Sequence, residues 1–138
     1  MIVLAIVIIA AAIAAPSFAQ FIKQDRIVTS ANRVHSIVKF ARSEAVKRET
    51  PMLLRVNGTN WEVVENAGEG NEAIINLFTQ TQPSVSLDLV NLTIAPTGEF
   101  NAAIDIGITD ADATTTNYRL CGLISGQTWI EQGVAECP

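Results

Sequence analysis

Residues 1–15 read MIVLAIVIIAAAIAA and contain no charged or polar side chain. Apolar side chains continue as far as Ile22, although three residues interrupt the run: Pro16, Ser17 and Gln20. A helix that spans a membrane needs about 20 apolar residues. Residues 1–22 are therefore predicted to form a hydrophobic helix that lies in a membrane or packs against copies of itself.

The same run also fits a cleaved secretory signal peptide. Residues 17–19, before Gln20, have the small-x-small pattern of a cleavage site, and the apolar run is long enough for a signal-peptide core. No basic residue precedes the run, however, and the helical pattern crosses the cleavage point. These features favour an anchor or a packing stalk over a signal peptide, whose removal would leave a secreted β domain.

Downstream of the apolar run, hydrophobic residues recur at helical spacing. The steps between them are 4, 3, 4, 3 and 4, which places on one helix face Ile27, Ala31, Val34, Val38, Ala41 and Ala45. The helix is therefore predicted to continue over residues 23–50 as an amphipathic segment and to end before Pro51. Pro16 is predicted to kink the helix or unwind it locally.

After Pro51 the hydrophobic pattern alternates, which predicts a β-rich head over residues 51–138. Asn57-Gly58 between two apolar segments is a strong β-hairpin signal. Strands are predicted over residues 52–56, 61–65, 74–79, 85–89, 92–95, 104–109, 118–125 and 127–132. The predicted fold class is α+β, with the second half of a long N-terminal helix lying across one face of an antiparallel β-sheet.

Charge is distributed unevenly between the two parts of the chain. The net charge is −5, but residues 1–49 hold seven basic and three acidic residues, a net charge of +4. Residues 50–138 hold two basic and eleven acidic residues, a net charge of −9. Non-specific binding of nucleic acid requires Lys and Arg to displace the counterions of phosphates. Nucleic acid is therefore not expected as a partner of this acidic head.

The two cysteines, Cys121 and Cys137, are predicted to form a disulfide. A metal site usually needs four ligands, and the one histidine, His35, lies far away in the helix. A disulfide implies an oxidising compartment such as a periplasm or a cell surface.

No group of residues in the sequence predicts catalysis, so no enzymatic activity, cofactor or metal is expected. His35 is interpreted as a partly exposed structural residue. Asp110 and Asp112 lack the Gly-and-Glu pattern of a calcium loop. They are interpreted as part of a solvated surface loop over residues 110–117.

Several segments carry a family resemblance. MIVLAIVIIAAAIAAPSF resembles the N-terminal helix of type IV pilins and type II secretion pseudopilins, including the proline after the Ala-rich run. Residues 41–48 (ARSEAVKR), followed by a hairpin, are similar to the signature of the FimT/GspH-like pilin group. The turn at residues 94–98 and a late disulfide also fit that group. The resemblance covers the whole chain and is strongest over residues 1–50.

This resemblance implies a pilin fold and a structural subunit that assembles helically through its hydrophobic helix. The chain would lie in the bacterial inner membrane before assembly, and afterwards in an extracellular filament or a periplasm-spanning pseudopilus. Its partners would be copies of itself and other pilins or pseudopilins. The residues expected to pack in the filament core are Ile2, Leu4, Ile6, Ile9, Ile13, Pro16 and Phe18. The residues expected to meet acidic surfaces of neighbouring heads are Arg26, Arg33, Lys39, Arg42 and Lys47.

The sequence departs from the group's pattern in two places. Such proteins mature to a chain that begins Phe-Thr-Leu-Ile-Glu-Leu, and the glutamate of that segment would lie two residues before Met1. Either the first residues are missing from the sequence, or the subunit assembles without that glutamate. DNA receptors of the FimT type carry Gly-Arg-x-Arg near the C-terminus, whereas the matching stretch here, residues 126–129, reads GQTW. DNA uptake is therefore not favoured.

The sequence supports three functional hypotheses, in order of preference. The first is a structural subunit of a type IV pilus-like filament. The second is a minor pilin or a type II secretion pseudopilin at a filament tip, where it contacts secreted protein or DNA. The third is a secreted β domain with a cleaved signal peptide and no role in a filament.

Overall fold

The computed structural model describes the backbone of residues 2–138 and the side chains of residues 2–3 and 17–138. A single long helix, α1 (Ile2–Arg48), precedes the strands of this described part of the chain. The strands are β1 (Met52–Asn57), β2 (Asn60–Glu65), β3 (Ala73–Thr79), β4 (Val85–Leu87), β5 (Leu92–Ile94), β6 (Ile104–Asp110), β7 (Tyr118–Gly122) and β8 (Thr128–Gln132). The predicted α+β class is confirmed.

The head contains two four-stranded antiparallel sheets where one sheet was expected. One sheet has the strand order β3-β2-β1-β5, and the other has the order β4-β6-β7-β8. The short strands β4 and β5 pair in opposite sheets, although they are neighbours in sequence. Helix α1 contacts strands of both sheets, so it lies across the two of them.

The predicted Asn-Gly hairpin joins β1 to β2. Asn57 pairs with Asn60, and Gly58 in the turn has a φ of 63°. Positive φ is the conformation that two-residue hairpin turns require, and glycine adopts it without steric cost. Strand β7 ends three residues earlier than predicted, because Gly126 N–H donates to Leu123 O and closes a turn at residues 123–126.

Helix α1 ends at Arg48, three residues before Pro51. Glu49 follows with a φ of 55°, in the left-handed conformation that commonly terminates helices. The helix is continuous through Pro16, so the proline does not unwind the chain at this position.

The predicted apolar face of the helix forms one side of the core. Its residues are at most 1% exposed and comprise Ile27, Ala31, Val34, Val38, Ala41 and Ala45. They pack against buried side chains of the strands, among them Met52, Trp61, Ile106 and Leu120. Each fully buried Val or Ile contributes about 1.5–3 kcal/mol, so this face holds the second half of the helix on the head.

The first half of the helix precedes the core. No helix in the described part of the chain combines the length and the hydropathy that crossing a membrane requires. Five predicted filament-core residues lie outside the described side chains: Leu4, Ile6, Ile9, Ile13 and Pro16. The role of residues 1–22 in a membrane or a filament core therefore stays a prediction.

The predicted disulfide joins Cys121 of β7 to Cys137, with 5.6 Å between the two Cα atoms. It attaches the segment after β8 to the sheet. Replacing both cysteines by serine is expected to lower the free energy of unfolding by about 3 kcal/mol, because the unfolded chain gains the freedom of an open loop. Urea unfolding with and without reductant measures this loss. Equal midpoints for the oxidised and reduced protein would contradict it, and the Cys-to-Ser variant, which reductant cannot change, is the control.

Candidate assembly surfaces

The first half of α1 carries large apolar side chains that the head does not cover. Ile2 and Phe18, both predicted to pack in a filament core, are 79% and 66% exposed, and Phe21 is 67% exposed. Contiguous exposed apolar surface on a protein marks an interaction site, whereas isolated exposed apolar residues do not. The described part of this surface comprises Ile2 and Val3 at the N-terminal end of the helix and Phe18, Phe21 and Ile22 next to the head.

Polar contacts hold the helix where it enters the head. Lys23 Nζ lies 2.6 Å from an Asp112 carboxylate oxygen, and Arg26 donates to Asp110 Oδ2 over 2.8 Å. Gln24 Oε1 accepts from the backbone N–H of Thr116 over 2.9 Å. We call these contacts the helix clamp; its residues are Lys23, Gln24, Arg26, Asp110, Asp112 and Thr116.

The helix clamp corrects the interpretation of Asp110 and Asp112 as solvated, whereas most of residues 111–117 are exposed as predicted. The side chain of Asp110 is fully buried against Arg26. Hydrogen bonds from Lys23 and then Thr114 hold the pKa of Asp112 well below its usual value, so this carboxyl group stays ionised. The two aspartates therefore bind the helix instead of facing only water. No group of potential metal ligands occurs in the described part of the chain.

The two flanks of the helix contact different sheets. On one flank, Arg33 donates to Thr79 O over 3.1 Å and lies 5.3 Å from the centre of the Phe78 ring. On the other flank, His35 Nε2 lies 2.9 Å from Thr128 Oγ1. Residues two apart are about 200° apart around a helix, so β3 and β8 border the helix on opposite sides.

His35 has the structural role that its position predicts. Partial burial lowers its pKa, and the nearby positive charge of Lys39 lowers it further. The ring is therefore held in the neutral form at neutral pH, in which one nitrogen contacts Thr128.

Arg42 binds one turn of the head and lies against a second. Its Nε donates to Gly98 O over 2.9 Å. Gly98 and Gly126 both have positive φ, 84° and 90°. A Cβ atom on Gly126 would overlap Gly98 O and would lie 2.5 Å from Arg42 Nε. Only glycine allows this approach of the two turns and the helix.

A groove runs beside the second half of the helix. It has a volume of about 670 Å³. Three cations of the helix line it together with the turn before β8, and the apolar residues Val38, Val46 and Phe100 complete the lining. We call this the basic groove; its polar lining is Lys39, Arg42, Ser43, Lys47 and residues 126–128.

Two of the three cations of the basic groove have no ion-pair partner in the described part of their own chain, and the third has only a long one. Lys39 and Arg42 have no carboxylate within ion-pair distance among the residues that the structure describes. Lys47 is 75% exposed, and its nearest carboxylate, that of Glu44, lies 3.9 Å away. The groove therefore keeps a positive potential.

The opposite flank carries apolar and acidic residues. Strand β3 lies at an edge of its sheet, and its Ile74 and Leu77 are 54% and 52% exposed. The loop that precedes it, residues 66–72, contains the exposed Glu69. We call β3 together with residues 66–72 the acidic edge.

The five predicted subunit contacts have different surroundings. Arg26, Arg33 and Arg42 bond within their own chain, whereas Lys39 and Lys47 are exposed. Contacts with other subunits stay a prediction for all five residues.

Two features of the structure were not predicted from the sequence. The sequence of β3, AIINLFT, has apolar residues at both odd and even positions, so its pattern does not separate the buried Phe78 from the exposed Ile74 and Leu77. The approach of Gly98 to Gly126 has no local signal, since it depends on how distant turns meet.

Comparison with known proteins identifies a family and a solved structure that this chain resembles. A family model described as type II transport protein GspH matches residues 30–129. The structure is similar to the crystal structure of the type IV minor pilin FimU of Pseudomonas aeruginosa, with a TM-score of 0.69 and 15% sequence identity. The similarity covers 85% of this chain and 96% of that chain, and at this identity it shows a shared fold. No curated protein sequence matches the chain significantly.

Proposed function

Because the chain belongs to the GspH family of type II transport proteins, within the type IV pilin and pseudopilin superfamily, we propose that it is a structural subunit of a pilus-like filament. It has no catalytic role in this proposal. Its mechanism is helical assembly with copies of itself or with other pilins through the first half of α1.

One observation carries the proposal: the exposed apolar surface of the helix, which begins where the helix clamp ends. The 22 residues before Lys23 extend about 33 Å at 1.5 Å per residue, close to the thickness of the hydrocarbon core of a bilayer. The segment would lie in the bacterial inner membrane before assembly. In the filament it would exchange lipid for neighbouring helices, and its run of alanines would allow close approach.

A minor subunit is the second candidate. The fold is that of a protein described as a minor pilin, and the family model is named for type II transport. A minor pilin or pseudopilin would occupy a filament tip, either on the cell surface or in the periplasm. It would use the same helix for assembly, so the two candidates differ in abundance and position.

Filaments sheared from the native cell test the proposal. A chain that dominates the filament by intact mass would indicate a major subunit, whereas a trace amount confined to the tip would indicate a minor pilin. Absence of the chain from surface and periplasmic filaments would contradict both candidates. A soluble product that starts at Gln20 would instead support a secreted domain.

Phe21→Asp is expected to remove the chain from filaments, because a charge would replace a large exposed apolar side chain that is proposed to pack in the apolar helix bundle. Thr29→Asp is the matched control: it places the same charge on an exposed position of the helix beside the head. The chain is quantified in sheared filaments by immunoblot. Equal incorporation of the two variants would contradict the proposed role of the apolar surface.

A further inference from the structure

We propose that the basic groove of one copy binds the acidic edge of a second copy. The inference rests on the proposed function and names a contact between the globular parts of two copies in the filament. It assigns the groove an occupant: residues 66–72 and the exposed side chains of β3.

Charge complementarity is the first argument. The groove presents Lys39, Arg42 and Lys47, as described above. On the acidic edge, Glu69 has no cation within ion-pair distance in the described part of the chain. The neighbouring Arg55 contacts two carboxylates, Glu62 and Glu72, so it cannot neutralise both. Opposite potentials on two surfaces steer association and fix its orientation.

The hydrogen-bonding capacity of the groove supports an acidic occupant. Arg42 uses Nε for Gly98 O, and its guanidinium has further N–H donors that are free to meet a carboxylate. Lys39 and Lys47 each carry three donors on a flexible stem. The groove therefore offers several donors to the carboxylate of Glu69 on the acidic edge.

Apolar complementarity is the second argument. Val46, in the lining of the groove, is about half exposed, as are Leu123 and Ile124 of the turn that precedes β8. On the acidic edge, Ile74 and Leu77 are about half exposed. Burial of these residues against one another would remove apolar area from water on both copies.

The relative positions of the two surfaces suit a repeating assembly. The acidic edge lies on the flank of the helix that Arg33 marks, and the groove lies on the flank that His35 marks. When two copies join through different surfaces, each end of the pair keeps one unused surface. Such heterologous contacts produce open helical filaments when the rotation between copies does not close a ring.

Charge reversal and its compensation test the pairing in the full chain. Lys39→Glu with Lys47→Glu is expected to reduce the chain in sheared filaments about tenfold or more, because like charges would face each other. Glu69→Lys alone is also expected to reduce the amount of the chain in sheared filaments. The triple variant carries both reversed surfaces, so it is expected to regain most of the wild-type amount.

Two controls keep these results interpretable. Glu136→Lys makes the same reversal at an exposed position outside both surfaces and is expected to leave the amount unchanged. Thermal unfolding of each purified variant in detergent confirms that the head stays folded. Arg42 is left unchanged, since it binds the Gly98 turn.

The outcomes separate this contact from the proposed function. Normal amounts of the Lys39→Glu, Lys47→Glu variant would overturn the contact and leave the filament role intact. Loss that Glu69→Lys cannot rescue would assign the groove to a different pilin and would overturn pairing between copies. Absence of the wild-type chain from filaments would overturn both.

Discussion

Gly126→Ala is expected to lower the free energy of unfolding by about 3 kcal/mol. The left-handed conformation at this position costs an L-residue about 1–2 kcal/mol, and overpacking typically adds about 1–3 kcal/mol. The new methyl group would overlap the carbonyl oxygen of Gly98 and would lie 2.5 Å from Arg42 Nε. The turns must therefore separate, and Arg42 must release Gly98. Urea unfolding of the purified chain measures the change.

Gly68→Ala is the matched control for this prediction. Gly68 has a φ of 83°, close to the 90° of Gly126, but a Cβ atom there would meet nothing within 4 Å. Its expected cost is that of the backbone alone, about 1–2 kcal/mol. The difference between the two variants isolates the steric part. Equal losses would show that the contact between the turns does not limit stability.

Arg26→Met is expected to destabilise the head by about 3 kcal/mol, because it leaves the buried carboxylate of Asp110 without its cation. The side chain of Asp110 is fully buried, and Arg26 reaches it with both Nε and Nη2. Methionine keeps much of the apolar length of the arginine, so lost packing contributes little. Urea unfolding at neutral pH measures the loss.

A double variant provides the control for Arg26. In Arg26→Met with Asp110→Asn, the buried charge is gone, while the amide oxygen can still accept from the N–H of Asp112, as the carboxylate does. The double variant is therefore expected to be more stable than Arg26→Met alone. A double variant that is less stable would contradict the idea that an unpaired buried charge causes the loss.

The sequence predicts the elements of this fold better than it predicts their contacts. The helical stripe from Ile27 to Ala45 and the Asn57-Gly58 hairpin are local patterns, and the structure confirms both. The Cys121–Cys137 bond, predicted because the sequence offers the two cysteines too few further metal ligands, is also confirmed.

The long-range contacts have no comparable local signal. Asp110 lies in a polar stretch typical of a solvated loop, yet it pairs with a residue 84 positions earlier. The assignment of β4 and β5 to different sheets likewise depends on tertiary packing, because three-residue strands carry too little pattern to indicate a partner. For the same reason the clamp, the basic groove and the Arg42 contact become visible only in three dimensions.

The course of α1 through the head has a mechanical consequence. The helix runs along the core from Ile27 to Ala45, and the helix clamp lies at the point where the helix leaves the head. A pull on the first half of the helix, as extraction from a bilayer would exert, acts along the axis of the packed segment. The buried contacts along that segment then bear the load together in shear, whereas a pull across the helix would peel them apart one turn at a time. The head is therefore attached to the helix in an orientation that would resist a pull along the helix axis better than a pull across it.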